Sequence, residues 1–229
     1  MITEFSVAFL TEAERHAAWG AAQLEVLTGF LPEGPWSADL AACAYRQGEL
    51  DLRVAVLGTY DMAERTWMWG WANPGLGGTE VAAAGVAVER YGQGHGIAEL
   101  TAGTLDLSGF ADPRRAAEML AFTGMGITGA PGYIGVPAGG GTQVYFLPDD
   151  AQVPRAAPDP VTLPRILLTG AGLIGFSARH VVGGYFDHHG LPQRAEPGRI
   201  TADLPGGSAA EAHFDALGRL AKVEVTALP

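Results

Sequence analysis

Between Leu50 and Tyr60 the chain alternates: Leu52, Val54 and Val56 interleave with Asp51, Arg53 and Ala55, the period of a strand with one buried face. Arg65 to Ala72 reads as a second strand. Asp61-Met62-Ala63-Glu64 between them has turn character, which makes the pair an antiparallel hairpin. Ala38 to Tyr45 is a further strand ahead of them. The spacing before that is helical: Trp19, Leu24, Val26, Leu27, Phe30 and Leu31 form an apolar stripe interrupted by Gln23 and closed by Gly29 and Pro32. Thr11 and Glu14 are spaced as a capping box and predict the start of that helix.

Downstream, an Ala-rich helix is expected over Thr79 to Arg90. A second is expected from Asp112-Pro113, with Asp as N-cap and Pro at the first helical position, to Phe122. Strands Gly132 to Val136 and Gln143 to Leu147 flank the turn Pro137 to Gly141. Pro148, Pro154, Pro158, Pro160 and Pro164 then mark a stiff, extended stretch. Beyond it a helix is expected over Arg165 to His189. Strands Arg199 to Leu204, Ala209 to Phe214 and Arg219 to Thr226 follow, the last two joined at Asp215 to Gly218.

The pattern predicts an α+β fold, antiparallel sheets packed against helices, with a helix followed by a three-strand meander at both ends of the chain. It divides the chain into a main domain over 1–148, a Pro-rich linker over 149–163 and a C-terminal part over 164–229. A piece of about 65 residues is marginal by itself, so that part is expected to dock on the main domain.

Composition narrows the function classes. Hydrophobic residues make up 48% of the 229, the share of a globular chain. The formal net charge of −11 repels phosphate backbones, which argues against nucleic acid and leaves a basic protein partner open. A single cysteine, Cys43, fits a reducing compartment, and no basic leader or long apolar run is present, so the expectation is a cytoplasmic protein without a membrane span. Nothing calls for a cofactor or a metal.

The most distinctive stretch is Thr66-Trp67-Met68-Trp69-Gly70-Trp71-Ala72-Asn73-Pro74. On a strand, Trp67, Trp69 and Trp71 share one face. They either line a groove or partner surface, with Asn73 as a polar residue at its edge, or form the floor of the core beneath the first helix. Together with Leu57-Gly58-Thr59-Tyr60, this stretch resembles the signature of an uncharacterised bacterial family known only as a domain of unknown function. That signature is a Leu-Gly-Ser/Thr hairpin followed by Trp-x-Trp-x-Trp-Ala-Asn. The segments Glu14 to Phe30, Leu100-Thr101 and Tyr133 are also similar, over roughly the first two-thirds of the chain. The resemblance implies a shared fold and no particular activity.

Gly170-Ala171-Gly172-Leu173-Ile174-Gly175 satisfies the dinucleotide fingerprint after an apolar run, with Asp187 downstream where a ribose-binding acid could stand. Against it, too little chain follows for repeated βαβ units, and the other strands look antiparallel. His180, Asp187, His188 and His189 cluster without the spacing of a chelate and also suit the C-terminal end of a helix. No Gly-x-Ser-x-Gly elbow occurs. Cys43 reads as a small buried residue, and Asp149-Asp150 as solvated linker. The leading expectation is a non-catalytic binding or interaction protein of an immunity or regulatory type. A small-molecule enzyme or ligand-binding protein with a pocket lined by Trp67, Trp69 and Trp71 is the alternative. A dinucleotide-dependent oxidoreductase built on Gly170, Gly172 and Gly175 is the third.

Overall fold

The structure, a computed structural model, describes residues 2–227 and is α+β, as the pattern predicts. The chain divides into two compact units. The first takes the chain up to Phe9 and Leu24–Pro154; the second takes Leu10–Gln23 and the chain from Arg155 onward. The middle of the first helix is thus grouped with C-terminal elements. No helix among the described residues is long and apolar enough to cross a membrane.

Helix α1 runs over Val7–Phe30, one turn earlier than the expected start. The reason is Ser6, whose hydroxyl accepts the Phe9 amide as an N-cap. The Ser6 amide and hydroxyl are in turn held by the Glu99 carboxylate at 2.6 and 2.9 Å. Thr11 and Glu14 are therefore inside the helix, and Glu14 is free for another role.

In the first unit, β1 (Trp36–Asp39) and β2 (Ala44–Gln47) replace the single expected strand over Ala38 to Tyr45. Asp39 accepts the Ala41 and Ala42 amides, and Cys43 takes a left-handed φ of 53°, so the chain turns back at the place where continuous strand was expected. Strand β3 (Leu50–Asp61) is the spine. Its first residues pair with β2, and its last pair with β4 (Thr66–Trp69) on one edge and β7 (Thr142–Pro148) on the other. Strands β5 (Thr104–Asp106) and β6 (Ile134–Gly139) complete the sheet beside β4 and β7.

A bulge at Leu57 shapes both faces of this sheet. Val56 pairs with Phe146 and Gly58 with Tyr145, so the extra residue reverses the alternation. Leu52, Val54 and Val56 share a core with Leu27, Tyr45, Val81, Val144 and Phe146. Gly58 and Tyr60 turn to the opposite face with Trp67, Trp69 and Tyr145. Leu57 itself packs on Gly124 of α4 (Pro113–Thr128), whose N-cap is Asp112 as expected. Helices α2 (Ala83–His95) and α3 (Ala98–Thr101) lie between β4 and β5 in sequence.

The second unit departs further from expectation. The expected single helix is two, α5 (Leu163–Leu173) and α6 (Ala178–His188), separated where Gly175 adopts a φ of +82°. The C-terminal sheet has four strands in the order β11-β10-β9-β8. Strands β9 (Arg199–Leu204), β10 (Ser208–Phe214) and β11 (Leu220–Ala227) match the meander. Strand β8 (Gln193–Glu196) was hidden because its polar sequence, QRAE, has only Ala195 as an apolar residue. Within this unit the 10–23 segment of α1 packs closely against both helices. A Cβ on Gly184 would overlap the Arg15 carbonyl, and one on Gly170 would stand 2.5 Å from the Ala18 Cα. Gly172, by contrast, faces open space.

This contrast is testable by chemical denaturation. Gly170→Ala should destabilise the protein by about 2 kcal/mol or more through overpacking. Gly172→Ala should be neutral or stabilising by about 0.5 kcal/mol, because alanine is the better helix former.

Candidate functional site

Trp67 and Trp69 pack edge to face, with ring centroids 5.2 Å apart, and neither has any exposed surface. Trp69 donates its indole N–H to the Glu99 carbonyl at 2.9 Å, whereas the buried Trp67 Nε1 meets no acceptor among the described residues. Tyr145 closes the cluster 5.1 Å from Trp67. Gly58 makes room for it, since a Cβ there would lie 2.5 Å from Cζ2 of Trp67.

The third indole does not continue the row. The strand ends at Trp69 and a 3-10 turn, Gly70–Ala72, follows, because a Cβ on Gly70 would overlap the Val56 carbonyl and only glycine passes that close. Trp71 is half-buried in this turn beside Gly85 and Gly103. Asn73, also half-buried, spends its side-chain oxygen on the Gly75 amide, a turn-forming bond. On the same sheet face, each oxygen of Glu118 accepts one phenol, Tyr133 at 2.7 Å and Tyr145 at 2.9 Å. Burial first, and then the Glu118 charge, hold both phenols protonated well above their ordinary range.

In the second unit the structure brings together groups far apart in sequence. Glu14 has no exposed surface; one of its oxygens accepts the amides of Phe176 and Ser177, the latter at 2.6 Å, at the N-terminus of α6. Its other oxygen has His180 Nδ1 at 3.8 Å. His180 therefore stands by Glu14, while His188 joins a different group. His188 Nε2 lies 2.7 Å from His16 Nδ1, and His16 Nε2 lies 2.9 Å from Glu12. Trp19 stacks on the His188 ring at 4.0 Å and 4°. Asp187 turns to Arg15, 3.7 Å away, and accepts from Gln193. Sequence reasoning grouped the α6 histidines by proximity and missed His16 because it lies 172 residues from His188. Among the described residues no group of three His, Cys, Asp or Glu side chains could hold a metal ion.

The glycine fingerprint does not build a dinucleotide cradle. Gly170 and Gly172 are inside α5, which follows irregular chain, so the strand-to-helix turn that cradles a pyrophosphate is not formed. The same helix has an uneven exterior. Leu163, Ile166, Leu167 and Gly170 point inward at helical spacing, while Arg165, Leu168, Thr169, Gly172 and Leu173 are on the outside. Leu168 is 52% exposed, and Phe176, just past the helix, is 49% exposed.

A model of a family of unknown function, DUF6882, matches residues 10–151, more than half of the chain. The chain belongs to this family. The DUF6882 match contains Trp67, Trp69, Trp71, Asn73 and the Glu118 phenol pair, and leaves α5, α6 and the four-stranded sheet outside it. No curated protein and no solved structure matches the chain.

The two buried indoles of this DUF6882 member should respond differently to Phe. Trp69→Phe strands the Glu99 carbonyl and should cost about 1–3 kcal/mol more than Trp67→Phe, which removes an N–H that meets no acceptor among the described residues. Denaturant midpoints of the two variants measure the difference.

Proposed function

We propose that this DUF6882 member is a non-catalytic, regulatory or immunity-type protein that seats a protein partner on the outer side of α5 and the residues just beyond it. The observation that carries this reading is the exposure of Leu168, Leu173 and Phe176 within one short stretch of the second unit. Large apolar side chains exposed within one short stretch of chain favour an interaction surface. Trp67 and Trp69 have no surface to offer a partner, which favours α5 over the tryptophan strand as the docking face. The net charge of −11 favours a partner whose rim is basic, since complementary charge speeds encounter and fixes register.

The test is affinity purification of the tagged chain from its native lysate, beside the double variant Leu168→Glu/Phe176→Glu. Both positions are exposed, so the variant should keep its circular dichroism spectrum. The expected result is a stoichiometric partner that the wild type retains and the variant loses at least about tenfold, the effect of placing charge in a desolvated contact. Equal recovery by both proteins would remove α5 as the docking face.

A further inference from the structure

The contact between His16 and His188 carries an inference independent of the α5 surface. Two imidazole nitrogens 2.7 Å apart share one hydrogen bond, so one must present a lone pair and the other a proton. The Glu12 carboxylate lies 2.9 Å from the far nitrogen of His16. The arrangement therefore tolerates two neutral rings, or a charged His16 beside a neutral His188. It does not tolerate two charged rings, which would aim two N–H groups at each other across 2.7 Å. We infer that this pair is an acid-sensitive latch between α1 and α6, closed while His188 is neutral and opened when both rings are protonated.

The surroundings oppose protonation of His188. The groups facing the pair are Glu12, Arg15, His16 and Trp19 on α1, with Asp187 on α6 and His189 just beyond its end. Trp19 stacked on the ring and the Glu12 carboxylate favour a cation. Burial outweighs them, followed by the neighbouring positive groups His16, His189 and Arg15, and His188 is driven from 6.5 down to about 3. Burial also lowers His189. Because the folded state resists a proton that the unfolded chain accepts, this contribution to stability is complete above pH 6.5 and is lost as the pH falls from 6.5 toward 3. The latch lies on elements already in tight contact, since Gly184 meets the Arg15 backbone one helical turn before His188. Two charges forced together there have no room to separate without moving α6.

The experiment follows the imidazole C2–H resonances of the full chain and the hydrogen exchange of α6 from neutral pH to pH 3, in the wild type and in His188→Gln. Glutamine can still donate to His16 Nδ1 but cannot take a charge. The wild type should show His188 silent through the ordinary histidine range and then protonating together with a loss of α6 protection. Its unfolding equilibrium should shift by up to about tenfold per pH unit. His188→Gln should keep α6 protected over the interval in which the wild type opens. A His188 that titrates near pH 6.5 with α6 still protected would overturn the latch, as would a wild type and variant that open at the same pH. If His188→Gln does not fold, the wild-type titration alone decides between these outcomes.

Discussion

Glu14 lies in the middle of α1 with no access to water, and one carboxylate oxygen collects the amides of Phe176 and Ser177. Burying a carboxylate costs several kcal/mol unless its charge is met by well-placed donors. The N-terminus of a helix supplies such donors, together with the positive end of the helix dipole. The pairing fixes where α6 begins, and the other features of the second unit follow from it. Helix α6 must pass α1 closely, which Gly184 allows, and α5 must return beside the same helix, which Gly170 allows. The break between α5 and α6 is the place where the chain turns to present those two amides, with Gly175 in a left-handed conformation. Phe176, held by its own amide, is left with its ring exposed.

The first unit rests on a comparable economy of space around β3. The bulge at Leu57 lets one strand serve two cores, one with Leu52, Val54, Val56, Tyr45 and Phe146, the other with Trp67, Trp69 and Tyr145. Gly58 and Gly70 are the points at which ring and backbone come too near for any side chain. These features lie inside the stretch that matches DUF6882, so the matched region encodes a packed aromatic scaffold, while the exposed apolar residues of α5 lie outside it.

Periodicity revealed the elements whose cause is local. Strand β3 has its alternation, the hairpin to β4 its turn residues, and α4 the Asp112-Pro113 start. What stayed illegible depends on partners far along the chain. The start of α1 is set by Glu99 acting on Ser6, and the capping-box pattern at Thr11 and Glu14 misplaced it because Glu14 serves α6. The row of three tryptophans stops at Trp69 because Val56 presses on Gly70, a contact across the sheet that no window around Trp71 contains. The glycines of α5 resemble a phosphate loop in sequence, yet one is there for helix contact and its neighbour faces open space. The His16–His188 pair could be found only once the fold had brought its two helices together.

The most direct test of this account is amide hydrogen exchange at Phe176 and Ser177, measured by NMR in the wild type and in Glu14→Ala. Amides at the start of a helix have no intrahelical acceptor and exchange quickly when solvent replaces one. With the Glu14 carboxylate as their acceptor, both should exchange slowly in the wild type, at rates like those of interior α6 amides, and should lose that protection in Glu14→Ala. Fast exchange of both amides in the wild type would contradict the claim that a buried carboxylate sets the start of α6 and the packing of the second unit.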